Sequence, residues 1–172
     1  FWMAFPGNAW YTTPRGQTFK PVLSLWITAD AAATGTVFIP KLNWTTNFTI
    51  AAASGVSIPI PLEAELYPRG IVETGGIRIT ASSDVSVLAL SNNDSITDSF
   101  LCYPVDALGA EYVVLSYPSG LAGGGTEFAL VATADATTVW VTLTRDVTSH
   151  TGAVPFVNGG TLYQPRLAQS IL

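Results

Sequence analysis

Short apolar runs that alternate with polar residues, each ended within a few positions by Gly, Pro, Asn or Asp, are what most constrain this chain. Leu23, Leu25 and Ile27 alternate with Ser24 and Thr28, and Val37 and Ile39 run into Pro40. Ile77, Ile79 and Ala81 alternate with Arg78, Thr80 and Ser82, and Val85, Val87 and Ala89 follow within a few residues. Val139, Val141 and Leu143 alternate with Thr138, Thr142 and Thr144. A period of two belongs to a strand with one buried face. No segment sustains a period of 3.6, and Asp106 to Glu111 has room for one helical turn. The pattern predicts an all-β chain built of antiparallel β-sandwich units.

The runs also repeat. Leu25-Trp26-Ile27-Thr28-Ala29-Asp30-Ala31 corresponds to Leu130-Val131-Ala132-Thr133-Ala134-Asp135-Ala136, and Thr36-Val37-Phe38-Ile39 to Thr138-Val139-Trp140-Val141. Phe1-Trp2-Met3-Ala4-Phe5-Pro6 has the pattern of Val113-Val114-Leu115-Ser116-Tyr117-Pro118, and Gly55 has its counterpart at Gly160. A repeat this long reads as a tandem duplicated sandwich rather than a solenoid coil. The expected division is a first unit over 1–109 and a partial second unit over 110–172. Counterparts of the strands within Ile77 to Leu90 would fall past Leu172, so the second unit is expected to lack its last strands. An unfinished sandwich exposes an open edge. The chain is therefore expected to be a fragment, or to accept strands from further copies or another protein chain by strand addition.

Composition narrows the function classes. At 172 residues the chain can bury roughly 70% of its unfolded surface without staples. Only 11% of its residues are charged, against a usual share of about 25%, so Thr, Ser, Asn and Gly must cover much of the surface. A net charge of −5 without a basic cluster argues against a nucleic-acid partner. No apolar run is long enough to read as a membrane span. The opening Phe1-Trp2-Met3 has no basic flank of the signal-peptide kind and suggests a processed or trimmed chain. Cys102 is alone, which leaves two readings: a buried small hydrophobe, or an interchain disulfide.

Three glycosylation acceptors occur, at Asn43-Trp44-Thr45, Asn47-Phe48-Thr49 and Asn93-Asp94-Ser95. From Leu42 to Ile50 the bulky apolar side chains share one parity and Asn43, Thr45, Asn47 and Thr49 the other. On a strand both asparagines then share the wet face, with N-linked glycans about 13 Å apart. Trp10 and Tyr11 lie in a Pro- and Gly-flanked loop over 6–16 and are candidate contacts for a glycan or protein ligand. Trp26 and Trp140, near repeat-related strands, are expected in the core.

Other chemistry is thin. Asn92 to Asp98 is oxygen-rich but lacks the Gly and terminal Glu of a helix–loop–helix calcium site, and Asx turns explain the same residues. The glycine-dense stretch 120–126 has no Lys for a phosphate loop. His150 has no second histidine for zinc, and no G-x-S-x-G elbow accompanies it. Glu63 and Glu65, two apart, read as a solvated strand face. No metal, cofactor or catalytic residue is assigned.

Several stretches resemble the N-terminal domain family of IgGFc-binding protein, which occurs in mucus-associated and adhesive extracellular proteins. They are Phe1 to Asn8, Ile77 to Val87, Thr126 to Ala132 and, most specifically, Tyr103-Pro104-Val105-Asp106-Ala107-Leu108-Gly109-Ala110-Glu111-Tyr112-Val113-Val114. The resemblance implies an extracellular, non-enzymatic β domain of adhesion, mucus or matrix, whose family domain continues with further repeats. It carries over no functional residue.

The leading expectation is a secreted or cell-surface structural or adhesive glycoprotein domain, part of an oligomer or filament. The alternative is a module that recognises a glycan or protein through loop 6–16. A hydrolase acting through His150 ranks last.

Overall fold

The computed structural model describes residues 1–8, 11–12, 16, 18–66, 72–93, 97–115, 126–141, 152–156 and 161–167. Its elements are strands and three short 3-10 turns. In chain order the strands are β1 (Trp2–Met3), β2 (Tyr11–Thr12), β3 (Thr18–Phe19), β4 (Val22–Ala29), β5 (Ala33–Ile39), β6 (Trp44–Ile50), β7 (Ser54–Ile60) and β8 (Val72–Glu73). There follow β9 (Ile77–Ala81), β10 (Ser86–Asn92), β11 (Thr97–Cys102), β12 (Thr126–Val131), β13 (Thr137–Val141), β14 (Gly152–Phe156) and β15 (Thr161–Leu167). The all-β expectation holds, and the helical turn expected near Asp106 is a 3-10 turn over Val105–Ala107.

Two antiparallel four-stranded sheets dominate, ordered β1-β9-β5-β6 and β11-β10-β4-β7. The alternation read from the sequence decides their inner faces. Leu23, Leu25 and Ile27 of β4, Val37 and Ile39 of β5, Ile77 and Ile79 of β9, and Val87 and Ala89 of β10 are all buried in one core. Each of the larger side chains contributes about 1.5–3 kcal/mol by leaving water. Phe5 joins the core and meets Phe100 of β11 edge to face, with ring centroids 6.3 Å apart. The N-terminal ammonium donates to the Ile79 carbonyl at 2.8 Å, and the Ile79 N–H donates to the Phe1 carbonyl at 3.0 Å. These bonds hold β1 on β9 in the register Trp2↔Arg78 and Met3↔Ile77.

Glycine is required where β5 passes its neighbours. A Cβ on Gly35 would collide with the Phe48 ring and the Thr80 carbonyl.

The C-terminal strands form smaller ladders. β12 pairs antiparallel with β15, β15 with β8, and β13 with β14. Leu130 and Val139 pack on buried Ala132. Ala129 and Val131 pack instead on Ala4 and Leu66.

Three expectations are corrected. Trp26 is 49% and Trp140 77% exposed, so neither is a core residue. Trp26 lies between Leu25 and Ile27, both inward, and the pleat turns it outward. Glu63 and Glu65 do not share a wet strand face. Glu63 is exposed in the 3-10 turn Leu62–Ala64, whereas Glu65 is buried and accepts a 2.6 Å hydrogen bond from the Asn8 backbone N–H. Asn43 does not sit on a strand with Asn47. The stretch Pro40–Leu42 is a 3-10 turn, and β6 begins only at Trp44.

Candidate functional sites

The outer faces of the two sheets differ in chemistry. On the β1-β9-β5-β6 sheet the outward positions of β5, β6 and β9 are mostly threonine: Thr34, Thr36, Thr45, Thr49 and Thr80, with Asn47 among them. Asn47 is exposed in the middle of β6, the edge strand, and its side-chain oxygen accepts a 2.9 Å hydrogen bond from the hydroxyl of Thr36, its cross-strand partner. Phe48 and Ile50 face the core as the alternation required. Asn43 is exposed as the residue that closes the preceding turn. Its backbone is left-handed (φ 47°), a conformation asparagine tolerates better than most residues, and its N–H donates to the Pro40 carbonyl at 3.0 Å. Both residues are exposed. Asn93 differs, because it is 7% exposed at the end of β10.

The outward positions of the β11-β10-β4-β7 sheet bear no charge. They are Thr97, Ser99 and Leu101 on β11, Ser86, Leu88, Leu90 and Asn92 on β10, Val22, Ser24, Trp26 and Thr28 on β4, and Gly55, Ser57 and Pro59 on β7. Leu101, Leu88 and Trp26 are consecutive cross-strand neighbours, 54%, 39% and 49% exposed. In the sequence each of these residues is an apolar position among outward Ser, Thr and Asn, and only the pairing register assembles them into one patch.

Cys102 ends β11 at 6% exposure. Burial pushes its thiol up to about 11, and the pull of the N-terminal charge and of a backbone hydrogen bond at Ala89 only partly offsets this. A protonated, buried thiol is a poor nucleophile, so an interchain bridge needs the strand to open first. Burial likewise holds the Phe1 ammonium below its ordinary value, with Arg78 adding to the effect.

Trp10 and His150 lie outside the described residues, and of Tyr11 only the backbone is placed, paired with Phe19 across the short β2–β3 hairpin. A shallow depression of about 440 Å³ at one end of the sandwich is lined by Asp30 and Asp84 with Thr28, Ser54 and Ser86. Neither His nor Lys lines it to act as a base. Among the described residues no His, Cys, Asp and Glu group with metal-binding geometry occurs, and no helix is long and apolar enough to cross a membrane. Where β10 ends and β11 begins, the Thr97 hydroxyl donates to the Asn92 side-chain oxygen at 2.7 Å.

The segment after β11 is unusual. Tyr112, Val113, Val114 and Leu115 are 67%, 86%, 46% and 85% exposed and belong to no strand. Among the described residues β12 is an edge of its sheet and β13 has β14 as its sole strand partner.

Residues 98–170 match the family model described as IgGFc binding protein. Over 128 residues, 74% of this chain, the sequence is 30% identical to human IgGFc-binding protein. The chain spans about 2% of the length of that relative. No solved structure matches it.

Proposed function

Since residues 98–170 carry the pattern of the IgGFc-binding protein family, we propose that this chain is an extracellular, non-enzymatic domain that works by protein–protein assembly in a matrix, mucus or surface structure. One observation carries the reading: one outer sheet face is threonine-rich with exposed asparagine acceptors beside it, and the other is uncharged with exposed apolar side chains. The threonine-rich face ends in edge strand β6 with exposed Asn47, and exposed Asn43 immediately precedes that strand. The other face is uncharged and exposes Trp26, Leu88 and Leu101 in a row. A contiguous exposed apolar patch is costly on a solitary soluble protein and marks a contact surface. On a chain of net charge −5 it is also where two protein surfaces meet with least repulsion.

Exposed Asn43 and Asn47 are the preferred proposed glycan carriers over Asn93, which is buried in the folded chain. Glycans on β6 would also keep this edge from pairing with other strands. The edges of β12 and β13 that are unpaired among the described residues are compatible with assembly by strand addition, and the division into units 1–109 and 110–172 is proposed from the sequence repeat alone, since β15 also pairs with β8. The Fc ligand in the relative's name belongs to that protein and is not part of the proposal.

The test is secretion from a eukaryotic cell, glycosidase treatment and light scattering. The expected product loses mass with the glycosidase, loses that shift in the double variant Asn43→Gln and Asn47→Gln, and is larger than a monomer. An unglycosylated monomer at every concentration overturns the reading.

A further inference from the structure

The outer face of the β11-β10-β4-β7 sheet has an ordered relief. Across the strands Leu101, Leu88, Trp26 and Ser57 form one row. Two residues along, Ser99, Leu90, Ser24 and Pro59 form the next. Bulky and small side chains change places about the line between β10 and β4, which is the middle of the sheet. Leu101 lies as far from that line as Ser57, Pro59 as far as Ser99, and Leu90 as far as Ser24. Leu88 and Trp26, both exposed, flank the line itself. None of these positions is charged, although the chain has twelve acidic residues, seven basic ones and a net charge of −5.

We infer that this face is an interface between two copies of the chain, packed sheet on sheet about a two-fold axis that runs along the strands between β10 and β4. This deepens the assembly reading and rests on it. Such an axis lays β4 of each copy over β10 of the other, and β11 over β7. Trp26 of each copy then covers Leu88 of the other, Leu101 covers Ser57, and Leu90 covers Ser24. A two-fold contact requires a surface that complements itself, and the exchange of large for small about the midline supplies that. Aligned sheets pack about 10 Å apart with strands about 30° from parallel, so the central pairs stay in contact. A charged partner would find no counter-charge here. Asn47 lies on the outer face of the other sheet, so the stack leaves that acceptor on the outside.

The size of the face sets the strength of the contact. Four strands about 4.8 Å apart and seven residues at about 3.3 Å each give roughly 400 Å² per copy. A stable interface takes about 800 Å² per partner, so this one is weak. Like charge weakens it further. Asp30 and Asp84 lie at the end of the sandwich marked by Thr28 and Ser86, and the axis brings that end of one copy beside the same end of the other. Copies already held close in an assembly gain the contact through effective concentration.

The test is sedimentation equilibrium of the 1–172 chain. A monomer near about 1 µM and a rising share of dimer toward about 1 mM are expected of an interface this small. Salt should increase the dimer, because it screens repulsion between like charges and the contact itself contains no ion pair to lose. Leu88→Asp and, separately, Trp26→Lys should each weaken dimerisation at least tenfold, since each sets a charge against an apolar side chain. Both positions are exposed, so the unfolding midpoint should stay put. Mixing the two variants should restore a dimer with one chain of each, because the axis places the introduced acid over the introduced base. A monomer at every concentration, unchanged dimerisation by either variant, or a mixture that stays monomeric overturns the interface. A larger oligomer that both variants leave intact removes this face and keeps the assembly reading. A dimer that obeys the variants, formed by a chain that cells neither secrete nor glycosylate, keeps the face and removes the extracellular glycoprotein reading.

Discussion

Leu25 and Ile27 of β4 pair across the sheet with Ala89 and Val87 of β10, and all four are buried under the opposite sheet. Their correspondents Leu130 and Ala132 lie in and just after a strand that pairs in the same sense with β15, yet Leu130 stays half-buried and only Ala132 is sealed. The N-terminal sandwich and the C-terminal strands thus share a ladder and differ in what lies above it. Hydrogen-bonded pairing is satisfied strand by strand, because each ladder needs one neighbour. Burial is not, because an apolar face needs a second sheet to cover it. Among the described residues the C-terminal strands pair without a second sheet sealing Leu130.

The largest expected effect sets these two halves directly against each other. Leu25→Ala should cost about 2–5 kcal/mol, the usual range for a fully buried leucine, and Leu130→Ala less than about 1 kcal/mol because little surrounds it. Urea unfolding midpoints measure both, and equal costs would break the comparison. Next comes Gly35→Ala, whose added methyl group meets Phe48 and the Thr80 carbonyl. It should destabilise the N-terminal sandwich by about 1–3 kcal/mol, with exchange protection at 126–131 unchanged.

A smaller effect reports how well the core excludes water. The Cys102 thiol has an ordinary value of 9.0, and burial raises it to about 11 in the folded chain. Between those values the unfolded chain has released this proton and the folded chain still holds it. Stability from this group is therefore complete below about pH 9 and is lost as pH rises to about 11. Cys102→Ala should flatten that part of the stability profile, and a profile identical to the parent's would mean the thiol is not sealed. The smallest effects belong to the outward tryptophans. Trp26→Ser and Trp140→Ser should each shift stability by no more than about 0.5 kcal/mol, as exposed positions do. A loss of several kcal/mol at either would place it in a core after all.

Much of this was legible residue by residue. The parity of Leu23, Leu25 and Ile27, and of Phe48 and Ile50 against Asn47, named the inner and outer positions correctly, because a pleated strand sends alternate side chains to opposite faces whatever it pairs with. The same rule, applied to Trp26, would have turned it outward. Expecting it in the core gave its place near a repeat-related strand more weight than parity, and a bulky aromatic sits outside when its own strand offers it no inward position. Asn43 misled for a local reason: Pro40 opens a 3-10 turn that shifts the start of β6 by two residues past Leu42.

The amino-acid sequence by itself determined the element type and the buried parity of the long strands, since both follow from a period of two. Tertiary structure alone decided the rest. Glu65 is buried because Asn8, 57 positions away, donates to it, and no local pattern announces a partner that distant. Leu101, Leu88 and Trp26 form a row because three strands align in one register. The two unpaired edges exist because β12 and β13 found β15 and β14 and no further strand among the described residues. Which apolar surface stays open is settled by how many neighbours each strand meets, and that is a property of the folded arrangement rather than of any single stretch of chain.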